Sequence, residues 1–147
     1  MTPYGMDEHE LRMEDIPHEH LELQSSITEV GLAAALIDYE KKIGENCIWD
    51  PAFTQKVNDL FNNYSLDQLQ LARSQASEEL FFARAEMERF VSLNMADRPA
   101  EQLSAETLNG FSACSKRLET AILNREMLKT AIEIKSQDQF ENLEEEQ

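Results

Sequence analysis

The residues best suited to metal or proton chemistry are three histidines, and all of them lie near the start of the chain. His9 comes first, and His18 and His20 flank Glu19. Two imidazoles and a carboxylate can bind a transition metal, but a stable site needs further ligands at fixed spacing. No HExxH, ExxH or distant cysteine ligand completes this set. We therefore expect no metal site.

Catalysis by an activated nucleophile or by paired carboxylates is also not indicated. A serine or cysteine nucleophile needs a base held in a structured site, and the histidines lie outside the predicted core. Acid pairs such as Glu78 with Glu79 stand near arginines at helical spacing, which is typical of a solvated helix face. The four glycines are too scattered for a phosphate-binding loop. We expect a protein that is not an enzyme and holds no cofactor.

The cysteine pattern and the first residues bear on cellular location. Cys47 and Cys114 are far apart and form no CxxC pair, so neither a zinc nor a redox motif is indicated. Buried free thiols in a reducing compartment are the favoured interpretation, although a disulfide between them stays open. The sequence shows neither a basic leader nor an apolar stretch of bilayer length. These features predict a cytoplasmic protein that does not contact membranes.

Two heptad patterns predict the elements that must position any functional surface. Apolar seams run over residues 69–94 and 111–132 with a period of about 3.5, and the segment from Met95 to Ala100, with Pro99, predicts the turn between them. In an antiparallel pair the numbers of facing residues add to a constant, and a constant of about 201 sets large residues against small ones. The facing pairs are then Phe90 with Phe111, Met87 with Cys114, Ala83 with Leu118, Leu80 with Ala121, Ala76 with Arg125 and Leu69 with Ile132.

Helix-start signals place the remaining elements. Ser26 with Glu29 reads as a capping box that opens a helix with Val30 and Ile37 on its apolar stripe. Asp50 followed by a proline starts a second helix, and a further capping box of Ser and Gln at 65 and 68 starts the third. The sequence predicts an all-α fold: a long antiparallel helical hairpin of about residues 66–94 and 104–135, covered by two shorter helices of about 27–43 and 51–64.

The formal net charge is −16, and most of it lies at the two ends of the chain. Residues 1–24 hold seven acids against one arginine, and residues 137–147 hold five acids and no base. Acidic segments of this kind usually stay solvated, so we predict flexible ends at 1–24 and 137–147 around a single helical domain of residues 25–136. Because phosphate binding requires clustered Lys and Arg, direct nucleic-acid binding is disfavoured.

Three apolar side chains are the candidate partner-binding residues. Leu71 and Phe82 lie off the seam of the third helix and are available to a partner or to intramolecular cover. Trp49, the only tryptophan, lies in a connector, where it is either a partner anchor or, as we favour, a wedge sealing the junction between helices. Arg125 interrupts the second seam and either extends past Ala76 to a carboxylate, the favoured interpretation, or marks an opening for a partner.

Two classes of function remain. The first is a non-catalytic protein–protein interaction module of chaperone, adaptor, assembly-factor or inhibitor type that presents helix faces to another protein. A homodimer through the third helix is a further hypothesis within this class. The alternative is an acidic nucleic-acid mimic that inhibits a DNA- or RNA-binding protein. Mimicry requires carboxylates on a rigid surface, whereas most of the excess charge lies in the ends, so the interaction module is favoured.

Overall fold

The structure, a computed structural model, describes residues 18–95 and 103–146, with side chains described up to residue 138. The described part of the chain is helical apart from short corners, which confirms the predicted all-α fold. The predicted turn between Met95 and Ala100 falls largely outside the described residues. The elements are α1 (His18–Val30), α2 (Leu32–Asn46), a 3-10 turn (Cys47–Trp49), α3 (Pro51–Asn63), α4 (Leu66–Asn94) and α5 (Ala105–Glu146).

Three of the predicted helix starts are confirmed by side chains that cap free backbone N–H groups. Asp50 accepts a hydrogen bond from the Ala52 N–H at 2.9 Å, with Pro51 at the first helical position. Ser65 and Gln68 cap each other's backbone N–H groups at 2.8 and 3.2 Å, as a capping box requires. The start of α5 is capped in the same way, since the Thr107 N–H donates to Ser104 Oγ at 3.1 Å.

The predicted first helix is wrong in its start and in its buried face. Ser26 lies inside α1 rather than at its cap, and the predicted span of 27–43 is broken at Gly31, which has a φ of +93°. A left-handed φ suits glycine because it lacks a Cβ. The break interrupts the helical period, so Val30 and Ile37 are 58% and 71% exposed. The α2 face that is buried instead consists of Ala35, Leu36 and Tyr39.

The chain divides into two compact units, each containing parts of several helices. Among the described residues, the first unit comprises residues 18–40, 82–95 and 103–119, and the second comprises residues 41–81 and 120–146. In the first unit, α4 and α5 bury their predicted seam residues, among them Ala83, Met87, Phe111 and Leu118. Glu86 of α4 accepts from Arg117 and, at 3.8 Å, from Cys114 Sγ, both on α5.

A glycine explains how closely these two helices approach in the first unit. A methyl group at Gly110 would lie only 2.6 Å from the Phe90 ring, so the ring occupies the space that any larger residue would need. The numbers of Phe90 and Gly110 add to 200, which is one less than the constant of about 201 predicted for the antiparallel pair.

The second unit has its own apolar core. Phe53 and Val57 of α3 pack with Leu69 of α4 and with the apolar face of α5. Lys135 Nζ donates to the carbonyl oxygens of Phe61 and Tyr64 at 2.7 and 2.5 Å, which binds α5 to the end of α3. A cation suits the carbonyl end of a helix. The buried members of this core are Cys47, Phe53, Val57, Leu69, Met127, Leu128, Ala131 and Ile132.

The two acidic ends contain more helix than the sequence indicated. Residues 18–24 belong to α1 and residues 137–146 to α5, so the predicted boundary after residue 24 falls inside a helix. Residues 1–17 and 147 lie outside the described residues, and the flexibility of the ends stays a prediction. None of the helices in the described ranges combines the length and apolar character that crossing a bilayer requires.

Candidate functional site: an open three-helix groove

An open groove of about 770 Å³ lies between α3, α4 and α5 within the second unit. We call it the three-helix groove. Each helix lines it with residues spaced three or four apart, which is the spacing of one helix face. The lining residues are Lys56, Asp59, Leu60, Asn63 and Tyr64 around α3, Gln68, Leu69, Leu71, Ala72, Gln75, Ala76 and Glu79 of α4, and Ala121, Asn124, Met127 and Leu128 of α5.

The floor of the groove is formed by apolar residues. Leu69, Met127 and Leu128 are buried core residues that show one face to it. Ala72 and Ala76 stand one turn apart on α4, and their small side chains leave room above the seam. A larger side chain at either alanine would fill that space. Two small residues of the α4 seam therefore help to form the groove.

Its edges carry polar side chains and one strongly exposed leucine. Lys56, Asp59 and Glu79 supply the charges. Leu71 is 63% exposed, although it lies at the edge of an apolar floor. Residues 68–79 of α4 extend about 16 Å at the α-helical rise of about 1.5 Å per residue. This length matches about three turns of another helix.

The three residues predicted from sequence occupy different places. Leu71 lines the groove, whereas Trp49 is not among its lining residues although it belongs to the same unit. Phe82 belongs to the first unit and is 54% exposed. The structure therefore brings only Leu71 to the recess, and partner binding by all three stays a prediction.

The favoured interpretation of Trp49 as a wedge is wrong. Its side chain is 79% exposed, and the adjacent Ile48 is 53% exposed. The 3-10 turn instead buries Cys47, whose Sγ donates to the Gly44 carbonyl oxygen at 3.4 Å. Because the three residues of a 3-10 turn point in different directions, burying the first exposes the other two.

Arg125 pairs with a carboxylate, as its favoured interpretation predicts, but this carboxylate is the adjacent residue of α5; an extension past Ala76 stays a prediction. Its guanidinium donates to Glu126 Oε1 at 3.2 Å, and both side chains are largely buried, with exposed fractions of 27% and 17%. The seam thus accommodates an arginine by pairing it with the next residue. Pairing of this kind lowers the free-energy penalty of burying a charge.

A second polar cluster, in the first unit, was missed by sequence reasoning. His20 is buried, and its Nδ1 lies 3.1 Å from Ser112 Oγ while its Nε2 lies 3.5 Å from Glu119 Oε2. The hydroxyl of Tyr39 donates to the same carboxylate oxygen at 3.3 Å. The expectation that the histidines lie outside the core is wrong for His20, because these partners compensate the burial of its imidazole.

The cluster disfavours ionisation of the Tyr39 hydroxyl. Burial raises the pKa of Tyr39 well above its ordinary value, and the negative charge of Glu119, which also accepts its hydrogen bond, raises it further. Tyr39 therefore remains a neutral hydrogen-bond donor. A serine, a histidine and a carboxylate do adjoin here, but Ser112 lies inside α5, where backbone N–H groups already bond within the helix. An acyl-transfer site needs free N–H donors for the oxyanion.

The two cysteines are free and buried. Burial raises the pKa of both thiols, and the nearby carboxylates Glu126 and Glu86 raise the pKa of Cys47 and Cys114 respectively. Thiolate is the reactive form, so these raised pKa values lower the reactivity of both thiols.

The histidine pair of the sequence does not converge on a metal. His18 is exposed and bonds to Glu22 on the same helix at 2.8 Å, whereas His20 is directed to α5. Within the described ranges, no group of three His, Cys, Asp or Glu side chains could hold a metal ion. His9 lies outside the described residues.

Comparison with known proteins gives no family for this chain: no family model, no curated protein and no solved structure matches it.

Proposed function

We propose that this chain is a non-catalytic protein–protein interaction module that binds an amphipathic helix of another protein in the three-helix groove. The observation that carries the proposal is the groove itself, in which three helices present one face each around an apolar floor. Three such faces leave a position for one more helix, because a helix bundle buries its apolar faces against each other. Helix-in-groove binding is a common mode of protein recognition.

A helix fits the groove better than a small molecule does. Small-molecule sites usually enclose most of the ligand surface, whereas this recess is open along its length and its edge residue Leu71 is mostly exposed. An amphipathic helix buries only one stripe and leaves its polar face in solvent. Three turns of such a helix would cover the leucine and exclude water from the floor.

Charge indicates which helix would bind. The chain has a formal net charge of −16, and two of the three charged residues of the groove, Asp59 and Glu79, are acidic. Complementary charges accelerate association and like charges disfavour it. We therefore propose a partner helix with Lys or Arg beside its apolar stripe. A cytoplasmic location belongs to the same proposal, since Cys47 and Cys114 are free thiols.

A matched pair of leucine variants tests the proposal. Leu71 and Leu93 both lie on α4 and are 63% and 70% exposed, but only Leu71 lines the groove. Proteins captured from the native host would be identified with the wild type, Leu71→Glu and Leu93→Glu. Burying a leucine contributes about 1.5–3 kcal/mol, and about 1.4 kcal/mol is tenfold in affinity. We expect Leu71→Glu to weaken the captured partner's binding at least about tenfold and Leu93→Glu to leave it unchanged.

Mapping then locates the contact. Chemical-shift changes on adding the purified partner should concentrate at the groove residues of α3, α4 and α5. A partner that binds Leu71→Glu as tightly as the wild type would show that the groove is not the contact surface.

The acidic nucleic-acid mimic stays a second candidate because of one observation. The backbone of α5 is helical through Glu146, so the five acids between residues 138 and 146 lie on regular structure. A chain lacking residues 137–147 separates the two candidates. The mimic requires this truncation to lose a partner that DNA or RNA also displaces, whereas the groove proposal requires the truncated chain to keep its partner.

A further inference from the structure

The contact between α1 and the rest of the first unit involves both polar and apolar residues. Of the thirteen residues of α1, His20, Leu23 and Gln24 are buried. His20 bonds to Ser112 and Glu119 of α5. Hydrogen bonds between charged or polar groups depend on geometry, and they form equally well whether the two helices belong to one chain or to two.

A single residue connects α1 to α2. Gly31 is the one position between the two helices, and its φ is +93°. Helical hydrogen bonds continue on both sides of it, since the Gly31 N–H donates to the Ile27 carbonyl at 3.0 Å and the Ala35 N–H donates to the Gly31 carbonyl at 3.1 Å. A change of φ at this residue to the α-helical value of about −63° would merge α1 and α2.

The hinge is exposed in the bent conformation. Val30 beside Gly31 is 58% exposed, and no atom lies within 4 Å of the position that a Cβ on Gly31 would take there. One continuous helix over residues 18–46 would be about 43 Å long. It would carry α1 away from its own Ser112 and Glu119 and leave that face of α5 uncovered.

We propose that α1 is an exchangeable arm, and that a second copy of this chain is the partner that accepts it. In the exchanged dimer Gly31 is helical, and His20 of each copy bonds to Ser112 and Glu119 of the other copy. The exchange uses the same contacts as the single chain and adds only the straightening of one residue, which is the usual route to a swapped dimer. Because each copy carries −16, exchange is favoured at high ionic strength, where repulsion is screened.

Two glycine substitutions test the hinge. Gly31→Ala disfavours the left-handed bend and favours the helix, and the two effects together shift the equilibrium toward the straight form by about 30-fold or more. Gly44→Ala is the matched control: it lies within α2, and its methyl group would meet only the Glu126 carboxylate at an ordinary 3.7 Å. Light scattering at high salt should show dimer for Gly31→Ala and wild-type mass for Gly44→Ala. Equal masses for the two variants would overturn the proposal.

A mixing experiment tests the contacts themselves, with Gly31 unchanged. In the His20→Glu variant, the introduced carboxylate lies beside Glu119 of the same chain. In the Glu119→Lys variant, the introduced lysine lies beside His20 of the same chain. Each variant alone therefore loses the cis contact. In an exchanged heterodimer, the arm of the His20→Glu variant brings its introduced carboxylate to the introduced lysine of the Glu119→Lys variant. The arm of the Glu119→Lys variant brings His20 to the unchanged Glu119 of the other chain.

We expect the mixture, but neither variant alone, to form a dimer, with native mass spectrometry showing one copy of each chain. Two unpaired monomers in the mixture would refute the exchange. The exchange would also be refuted if the Gly31→Ala dimer still formed when His20→Glu or Glu119→Lys was added to it. Another surface would then hold that dimer together. If Gly31→Ala does not fold, the mixing experiment decides alone.

Discussion

Replacing Ser115 with alanine should stabilise the protein, although most substitutions in a core destabilise it. Ser115 is fully buried on α5, and its Oγ has no hydrogen-bond partner among the described residues. A buried hydroxyl without a partner loses its bonds to water and gains none in return. Removing it should therefore raise the free energy of unfolding.

The magnitude follows from three contributions. Relieving an unsatisfied buried polar group contributes about 1–3 kcal/mol, and the higher helix propensity of alanine adds about 0.5 kcal/mol. Against these, the void left by one oxygen atom, on the order of 20 Å³, costs about 0.5 kcal/mol. The last two contributions cancel, so we expect Ser115→Ala to raise the free energy of unfolding by about 1–3 kcal/mol, and Tm by roughly 2–4 °C for each kcal/mol.

Two other serines of α5 supply the comparisons. Ser136 is exposed, so Ser136→Ala measures the helix-propensity contribution alone. Ser112→Ala should have the opposite sign, because it removes the partner of His20 Nδ1 and leaves a buried imidazole nitrogen unsatisfied. Urea unfolding followed by circular dichroism gives all three values. If Ser115→Ala stabilises no more than Ser136→Ala, the buried hydroxyl has a partner in solution and the reasoning is refuted.

Two further predictions concern Lys135 and Tyr39. Lys135→Met should lower the free energy of unfolding by about 1 kcal/mol, because it removes two hydrogen bonds to the carbonyl end of α3 that are partly screened by solvent. Lys129→Met, at an exposed position of α5, is the control. If both variants lower the free energy of unfolding equally, Lys135 does not cap the end of α3. Because the folded pKa of Tyr39 is raised, its contribution is complete below the ordinary tyrosine pKa of about 10 and is lost as pH rises toward the folded pKa. Wild-type stability should therefore begin to fall near about pH 10 and continue to fall at higher pH. Tyr39→Phe should flatten that fall, and an unchanged slope in alkaline urea titrations would show that another group is responsible.

The elements predicted correctly are those whose signals are local in sequence. The capping box of Ser65 and Gln68 and the cap at Asp50 each involve residues two or three positions apart, and both formed as predicted. The seams of α4 and α5 repeat over many turns, so their buried positions could be found from the period alone.

What the sequence did not predict depends on distant contacts. His20 and Ser112 are 92 positions apart, and polar residues on a buried face hide the amphipathic period of α1. The three-helix groove was equally inaccessible, because it depends on which faces of α3, α4 and α5 come together. Of the groove residues, only Leu71 was a candidate partner-binding residue from sequence, because an apolar residue off a heptad seam can be recognised in the pattern. The exposure of Trp49 required the orientation of a 3-10 turn, which composition does not specify.

The corner between α3 and α4 has a consequence for how fast and how tightly a partner could bind. Only Tyr64 and Ser65 separate the two helices, and the corner is fixed by the capping box on one side and by Lys135 on the other. Two walls of the groove are thus set before any partner arrives. For the partner helix that we propose, the loss of backbone conformational freedom on binding would then fall mainly on that helix. Differences in affinity between partner helices should accordingly appear in their dissociation rates, with association set by diffusion and charge.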